Sequence, residues 1–204
     1  MLANIANSVT TFLFNYQFYK YYSHVGVDSI TIVLYFQFFV SSIMYGFASG
    51  IAPIISYKFG KKEKEEIVAI KRRSIIIISF LSIISFISSM LLISPVSVLF
   101  SGGSTEVYDL TVNNFIYFAL SLLFMGISIF ASSYFTALND GVSSLIISTL
   151  RTLVFLSLSL IVLPELFNEF GLWFATAFAE LLGAVVSILY IVIKKINFKP
   201  IAQQ

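Results

Sequence analysis

Residues 148–183 read STLRTLVFLSLSLIVLPELFNEFGLWFATAFAELLG. Two apolar runs flank a short segment from Pro164 to Gly171, and each run is long enough to cross the hydrocarbon core of a bilayer. Each also carries one full charge, Arg151 in the first and Glu180 in the second. A charge inside such a run is costly, so it marks a pairing or a function. At the helical rise, Arg151 lies roughly 18 Å and Glu180 roughly 14 Å from the connecting segment. The depths differ by only about 4 Å, so an antiparallel hairpin puts the two long side chains within reach of an ion pair. Depth does not say whether they share a face. Three readings stand side by side: a structural pair that fixes the hairpin, an Arg151 that snorkels to the surface alone, and a Glu180 that is a protonatable or cation-coupled carboxylate.

Composition extends this to the whole chain. Of 204 residues, 58% are hydrophobic and only 11% charged, with mean hydropathy +0.95. A soluble domain carries about 25% charged residues, so too few charges are present to cover a water-exposed surface. The chain reads as all-α, a polytopic membrane protein in one domain spanning 1–204. A net charge of +2 with clustered basic residues gives no nucleic-acid partner. There is no cysteine and one histidine, His24, so no thiol chemistry, metal site or nucleophile–base pair is expected. The chain is read as no enzyme and as needing no cofactor. The first residues lack a basic segment and a small-residue cleavage site, and are read as mature structure.

Six spans of roughly 20 apolar residues follow. They run from about Leu2 to Tyr22, Ser29 to Tyr57, Ser74 to Ile93, Phe115 to Ala137, Ser143 to Leu163, and Leu172 to Ile193. The separators SHVGVD, KFGKKEKEE, SP with SGGSTE, NDG and PELFNEFG read as turns and caps. STEVYDLTVNN, between the third and fourth spans, reads as a short helix on the membrane rim. The second span contains Gly46, Gly50 and Pro53, which predict a kink. Of the 12 Lys and Arg, all but Lys20 and Arg151 fall in the 58–73 segment or the C-terminal tail. The positive-inside rule then places both termini in the cytoplasm of a multi-pass protein of the cell (inner or plasma) membrane.

Polar residues within the spans fall on stripes. Asn4, Asn7, Thr11 and Asn15 share one face of the first span. Gln37, Ser41, Tyr45 and Ser49 share one face of the second, and Asn114, Tyr117, Ser121, Met125, Ser128 and Ser132 one face of the fourth. Each stripe has two readings, hydrogen bonding between packed helices or the wall of a hydrated cleft that takes small lipophilic or cationic substrates. The shared cleft is the expectation carried forward. Ser79, Ser82, Ser85 and Ser89 of the third span are assigned to packing, and Trp173 to an interface anchor.

Three motifs in order carry a resemblance. YGFASGIAPIISYKFGKKEKEEI places Gly50, Pro53, Tyr57 and Gly60 in a G-x-x-P-x-x-x-Y-x-x-G pattern. SSYFTALNDGVSSLIISTLRT contains Phe135, Ala137, Leu138, Gly141, Ser148 and Arg151, and LPELFNEFGLWFATAFAELL contains Pro164, Gly171, Trp173, Ala179 and Glu180. They resemble the eighth helix, the tenth-to-eleventh connection and the last hairpin of multidrug and toxic compound extrusion (MATE) transporters. The resemblance implies the C-terminal six-helix lobe of a two-lobe antiporter that exports drugs or toxic cations against Na+ or H+. The acidic residues that some branches carry in the seventh and tenth helices have no counterpart here.

Two classes of function follow from that resemblance. The first is a secondary multidrug antiporter whose half-length chain is inactive alone, needing a missing N-terminal lobe or a second copy. The second is a non-transporting membrane remnant or accessory subunit from a truncated gene. A lipid-linked saccharide flippase of the same superfamily is the further transporter reading. The orientation is tested first: in this cysteine-free chain, Ser104→Cys should react with an impermeant maleimide from outside the cell, and Lys62→Cys only from inside. The opposite pattern overturns it.

Overall fold

A hydrocarbon environment offers backbone amides no water, so the chain satisfies them in helices almost throughout. The computed structural model describes residues 2–194 and 196, with side chains from Ser8 onward. It is all helical among the described residues. The elements are α1 (Leu2–Gly60), α2 (Lys64–Phe100), α3 (Thr105–Ala119), α4 (Ser121–Ala137), α5 (Gly141–Thr149), a π-helical stretch Leu150–Phe155, and α6 (Leu156–Ile193).

Two of these elements reverse on themselves. A straight helix the length of α1 would be roughly 90 Å long, three bilayer cores. Its backbone leaves helical geometry only at Ser23 (φ 55°, ψ −141°), and that of α6 only at Asn168 (φ 51°, ψ −133°). The two turns share one construction. A Cβ on Gly26 would lie 2.6 Å from the Phe18 carbonyl oxygen, and one on Gly171 would fall on the Leu163 carbonyl oxygen. Those partners are eight residues apart, about 12 Å along a straight helix, so the chain has folded back. The α1 arms are residues 2–22 and 24–60; the α6 arms are 156–167 and 169–193. With α2, with the bent pair α3–α4 (48° between them), and with α5 and the π stretch running into the first arm of α6, the lobe makes six helical passes.

The six spans therefore stand, and their connections differ from expectation. SHVGVD and PELFNEFG are not loops. Helix continues up to and directly after the single residues Ser23 and Asn168, both solvent-exposed. Polar residues at a membrane rim cost a helix nothing, so their polarity marks depth and not chain direction. The third span is much longer than 74–93, because the basic segment from Lys64 is itself helical. STEVYDLTVNN is helical and continues to Ala119, so the expected start of the fourth span at Phe115 falls inside α3, and the break comes at Leu120. No glycine or proline marks that bend; a tightened Leu123 N–H to Leu120 O bond of 3.2 Å accompanies it. The dihedrals stay helical through Gly46, Gly50 and Pro53, so the expected kink is not a break in the helix. NDG is a turn as expected, with Asn139 at φ 59° and the Asp140 carboxylate capping Ser143 N–H at 3.3 Å.

α4 is the axis of the lobe. It packs against α1, α2, α5 and α6, and among its residues only Thr136 is exposed. Small side chains allow this closeness. A Cβ on Gly126 would stand 2.5 Å from Ser82 Oγ and 3.4 Å from the Met44 sulfur, where α4 meets α2 and the second arm of α1. The α2 serines 82, 85 and 89 are buried on this packing face, as expected, and Ser79 sits at its edge. Trp173 is not an interface anchor: it is fully buried, edge-on to Phe18 with centroids 5.0 Å apart. Outward faces are apolar, as Phe80, Leu91 and Val192 illustrate. At the end that carries the basic segment, Lys194 pairs with Asp140 at 2.5 Å and Lys58 with Glu63 at 2.5 Å. Burial opposes ionisation of Asp140, yet hydrogen bonds from Lys194 and Ser143 hold its carboxyl below the ordinary range. Lys195 and Lys199 lie outside the described residues.

The hairpin geometry is testable. Gly171→Ala drives a methyl into backbone and should cost about 1–3 kcal/mol. Asn168→Gly relieves a mirror-β conformation suited to glycine and should stabilise by about 1 kcal/mol. Thermal unfolding in detergent measures both, and a neutral Gly171→Ala contradicts the single-residue turn.

Candidate functional site

The ion pair is formed. Arg151 Nε donates to both carboxylate oxygens of Glu180, at 3.0 and 2.7 Å, and each side chain is only 10% exposed. The lone snorkelling arginine is thereby overturned: the guanidinium turns inward to a partner. Two local features permit this. Arg151 lies in the π-helical stretch, whose wider turn re-aims side chains relative to a plain α-helix. Gly183, one turn beyond Glu180, leaves room for the arginine stem; a Cβ there would lie 3.2 Å from Arg151 Cγ and 3.3 Å from Ser128 Oγ. Tyr45 of the second arm of α1 lies close enough to interact with the guanidinium. The pair thus ties α6, the π stretch and α1 together beside α4.

The three stripes do not share one cleft. Thr11 is exposed and Asn15 half-buried, while the first arm packs through Thr10, Phe14, Gln17 and Phe18. The side chains of Asn4 and Asn7 lie outside the described part. In the second arm of α1, Gln37 is half-buried, Ser41 is buried with its hydroxyl on the Phe38 carbonyl at 3.0 Å, and Tyr45 and Ser49 are exposed. Asn114 is half-buried and bonds the Leu110 carbonyl at 3.0 Å; Tyr117 meets the Phe170 ring edge-on at 4.9 Å. Ser121, Met125 and Ser128 are core residues, so the stripe of the fourth span is a packing seam and not a cleft wall. Helical periodicity reports that residues share a face; it does not report what the face meets.

The open face of the lobe lies elsewhere. On the second arm of α1, Ser42, Gly46, Ser49, Gly50 and Pro53 lie at helical spacing and are all exposed. Gly46 and Gly50 have nothing within 4 Å of where a Cβ would stand. No close helix contact through this glycine pair is therefore made within the lobe. Sequence reasoning missed Gly183, Gln17 and Thr176. Gly183 was findable by its one-turn spacing from Glu180. Gln17 Oε1 and Thr176 Oγ1 are buried without hydrogen-bond partners, which no sequence pattern signals.

A buried pair is tested by breaking it from either side. Arg151→Met and Glu180→Leu should each cost about 3–5 kcal/mol by stranding a charge, and the double variant should recover most of that loss. An additive double variant in denaturant unfolding contradicts the pairing.

Residues 1–161 match the family model for MatE. No match is found among curated proteins. Solved structures with this fold include an outward-facing multidrug resistance MATE family transporter of the MOP superfamily, with TM-score 0.86 and 18% identity, covering 94% of this chain and 43% of that one. A MOP superfamily transporter of Pyrococcus furiosus gives TM-score 0.86 at 17% identity, again over 94% and 43%. The bent form of the Vibrio cholerae MATE transporter VcmN gives TM-score 0.81 at 19% identity, over 92% and 42%. The chain spans less than half the length of each of these structures, and its fold is that of one MATE-type lobe. With the match over residues 1–161 of 204, this multi-pass membrane chain belongs to the MatE family.

Proposed function

We propose that the chain is the C-terminal lobe of a secondary active antiporter that exports small lipophilic or cationic compounds against Na+ or H+, and that it does not transport alone. The observation that carries this reading is its fold, aligned over 94% of its length with only 43% of a multidrug resistance MATE family transporter. The exposed small-residue face from Ser42 to Pro53 supports it. A face of hydroxyls and bare glycine backbone is poorly suited to lipid, and well suited to close approach by a second helical lobe. In parallel-repeat transporters the two halves share one orientation in the membrane and place the substrate between them. A homodimer would need this face to complement itself. It would also need two states of nearly equal free energy for alternating access. Neither follows from a surface that fits a different partner.

Coupling at Glu180 is a separate matter. Both its carboxylate oxygens accept from Arg151, so the arginine already neutralises the charge that a coupling cation would use. The test is dye efflux in a pump-deficient bacterium. Residues 1–204 alone should give the empty-vector rate, and a supplied MATE first lobe should restore efflux. Efflux by the chain alone, abolished by Glu180→Gln, contradicts the half-transporter reading and makes Glu180 a candidate coupling site. No efflux in either case favours the non-transporting subunit.

A further inference from the structure

We propose that water enters the lobe at the Thr136 end and reaches the Arg151–Glu180 pair along a ladder of hydroxyls between α4 and α5, with water bound at Ser128 and Thr176. The ladder begins at the exposed Thr136, whose Oγ1 lies 2.8 Å from Ser144 Oγ. Ser144 Oγ lies 2.9 Å from Ser132 Oγ, and Ser132 Oγ 3.2 Å from Ser148 Oγ. Ser148 also bonds the Ser144 carbonyl, and Thr152 Oγ1 donates to the Ser148 carbonyl at 2.8 Å. Each hydroxyl both donates and accepts, so the array can exchange bonds with water and reverse its polarity. Its inner end is one helical turn from Arg151, by way of Ser148, and one turn from Ser128, by way of Ser132.

Beyond that end the hydroxyls have no protein partner. Ser128 is 1% exposed and Thr176 3% exposed, and both side-chain oxygens are unbonded. A buried polar atom left unpaired costs about 1–3 kcal/mol. Polar sites of this kind take up ordered water. Ser128 borders the arginine stem at Gly183, and Thr176 sits one turn before Glu180 on the same face of α6. The hydrogen bonds to Glu180 use Nε alone, so the Nη groups of Arg151 remain available as donors. The two orphan hydroxyls therefore flank the pair.

Other buried serine hydroxyls divide: Ser89 is satisfied within its own helix, while Ser97, Ser121 and Ser157 are unpartnered like Ser128 but have no part in the hydroxyl ladder. Ser89 Oγ bonds the Phe86 carbonyl of its own helix at 2.7 Å. Ser82 is also unpartnered, but it lies against Gly126 of α4, with 2.5 Å from its oxygen to the position a Cβ would take. Hydroxyl pairs between helices also occur at Ser29–Thr111 and Ser94–Tyr108; the α4–α5 seam links a chain of four hydroxyls and leads towards the charge pair.

The experiment uses the whole chain in lipid vesicles, with single cysteines at Ser148, Ser128 and, as a dry control, Ser89. Ag+ is added on the side from which Lys62→Cys is labelled, and the thiols left unreacted are alkylated after unfolding in SDS. Ser148→Cys and Ser128→Cys should react at least about tenfold faster than Ser89→Cys, because a bare cation does not enter dry hydrocarbon. Ser144→Val, which interrupts the ladder, should slow Ser128→Cys and leave Lys62→Cys unchanged. Reaction of Ser128→Cys at the Ser89→Cys rate, or only from the opposite side, overturns the proposal. If Ser128→Cys does not fold, Thr176→Cys carries the same comparison. Labelling requires no transport, so this result stands apart from the efflux assay.

Discussion

The lobe is organised around one helix with almost no outer face. α4 meets neighbours on all sides, so it tolerates only side chains that let other backbones approach, and Gly126, Ser128 and Ala131 provide them. In lipid, association gains little from apolar burial, because the solvent is itself apolar; closeness and internal hydrogen bonds must supply the driving force. That explains why the packing face of α2 is built of serines and why its outer face is built of isoleucines. Tight turns follow from the same constraint. Reversing a helix through a single residue at Ser23 and Asn168 keeps nearly every backbone amide inside a helix, and Gly26 and Gly171 let the returning arms touch.

The Arg151–Glu180 pair depends on this packing. Desolvating two charges offsets most of their attraction, so such a pair is weak evidence for stability and better evidence for specificity. Here it fixes the rotation of three elements at once. Arg151 is aimed by the π stretch, its stem is accommodated by Gly183, and Glu180 holds its head. A hydrated seam beside it lowers the cost of keeping the charges and gives them a route to solvent.

Much of this was legible in the sequence. Six spans and the depth match between Arg151 and Glu180 followed from run length and helical rise. The connections were not legible, because polar residues at the membrane rim look like loops whether the chain turns there or stays helical. The bend at Leu120 and the π stretch have no residue signature at all. Stripes were read correctly as stripes and wrongly as one cleft: Ser121 and Ser128 mark a packed seam, whereas Gly46 and Ser49 mark an open face. In a soluble helix polarity separates outside from core. In a membrane lobe small polar residues serve core, cleft and partner contact alike, and only the three-dimensional neighbours tell them apart.

The face from Ser42 to Pro53 is proposed to seat a second lobe, and the rest of the outer apolar surface to face lipid. Nitroxide labels at Gly46→Cys, where nothing stands within 4 Å of the Cβ position, and at Leu91→Cys, 73% exposed on α2, separate the two. Oxygen collision rates are measured in vesicles with and without a MATE first lobe. The account predicts that adding that lobe lowers the rate at Gly46→Cys and leaves Leu91→Cys unchanged. An unchanged rate at Gly46→Cys, with the two lobes shown to copurify, would contradict it.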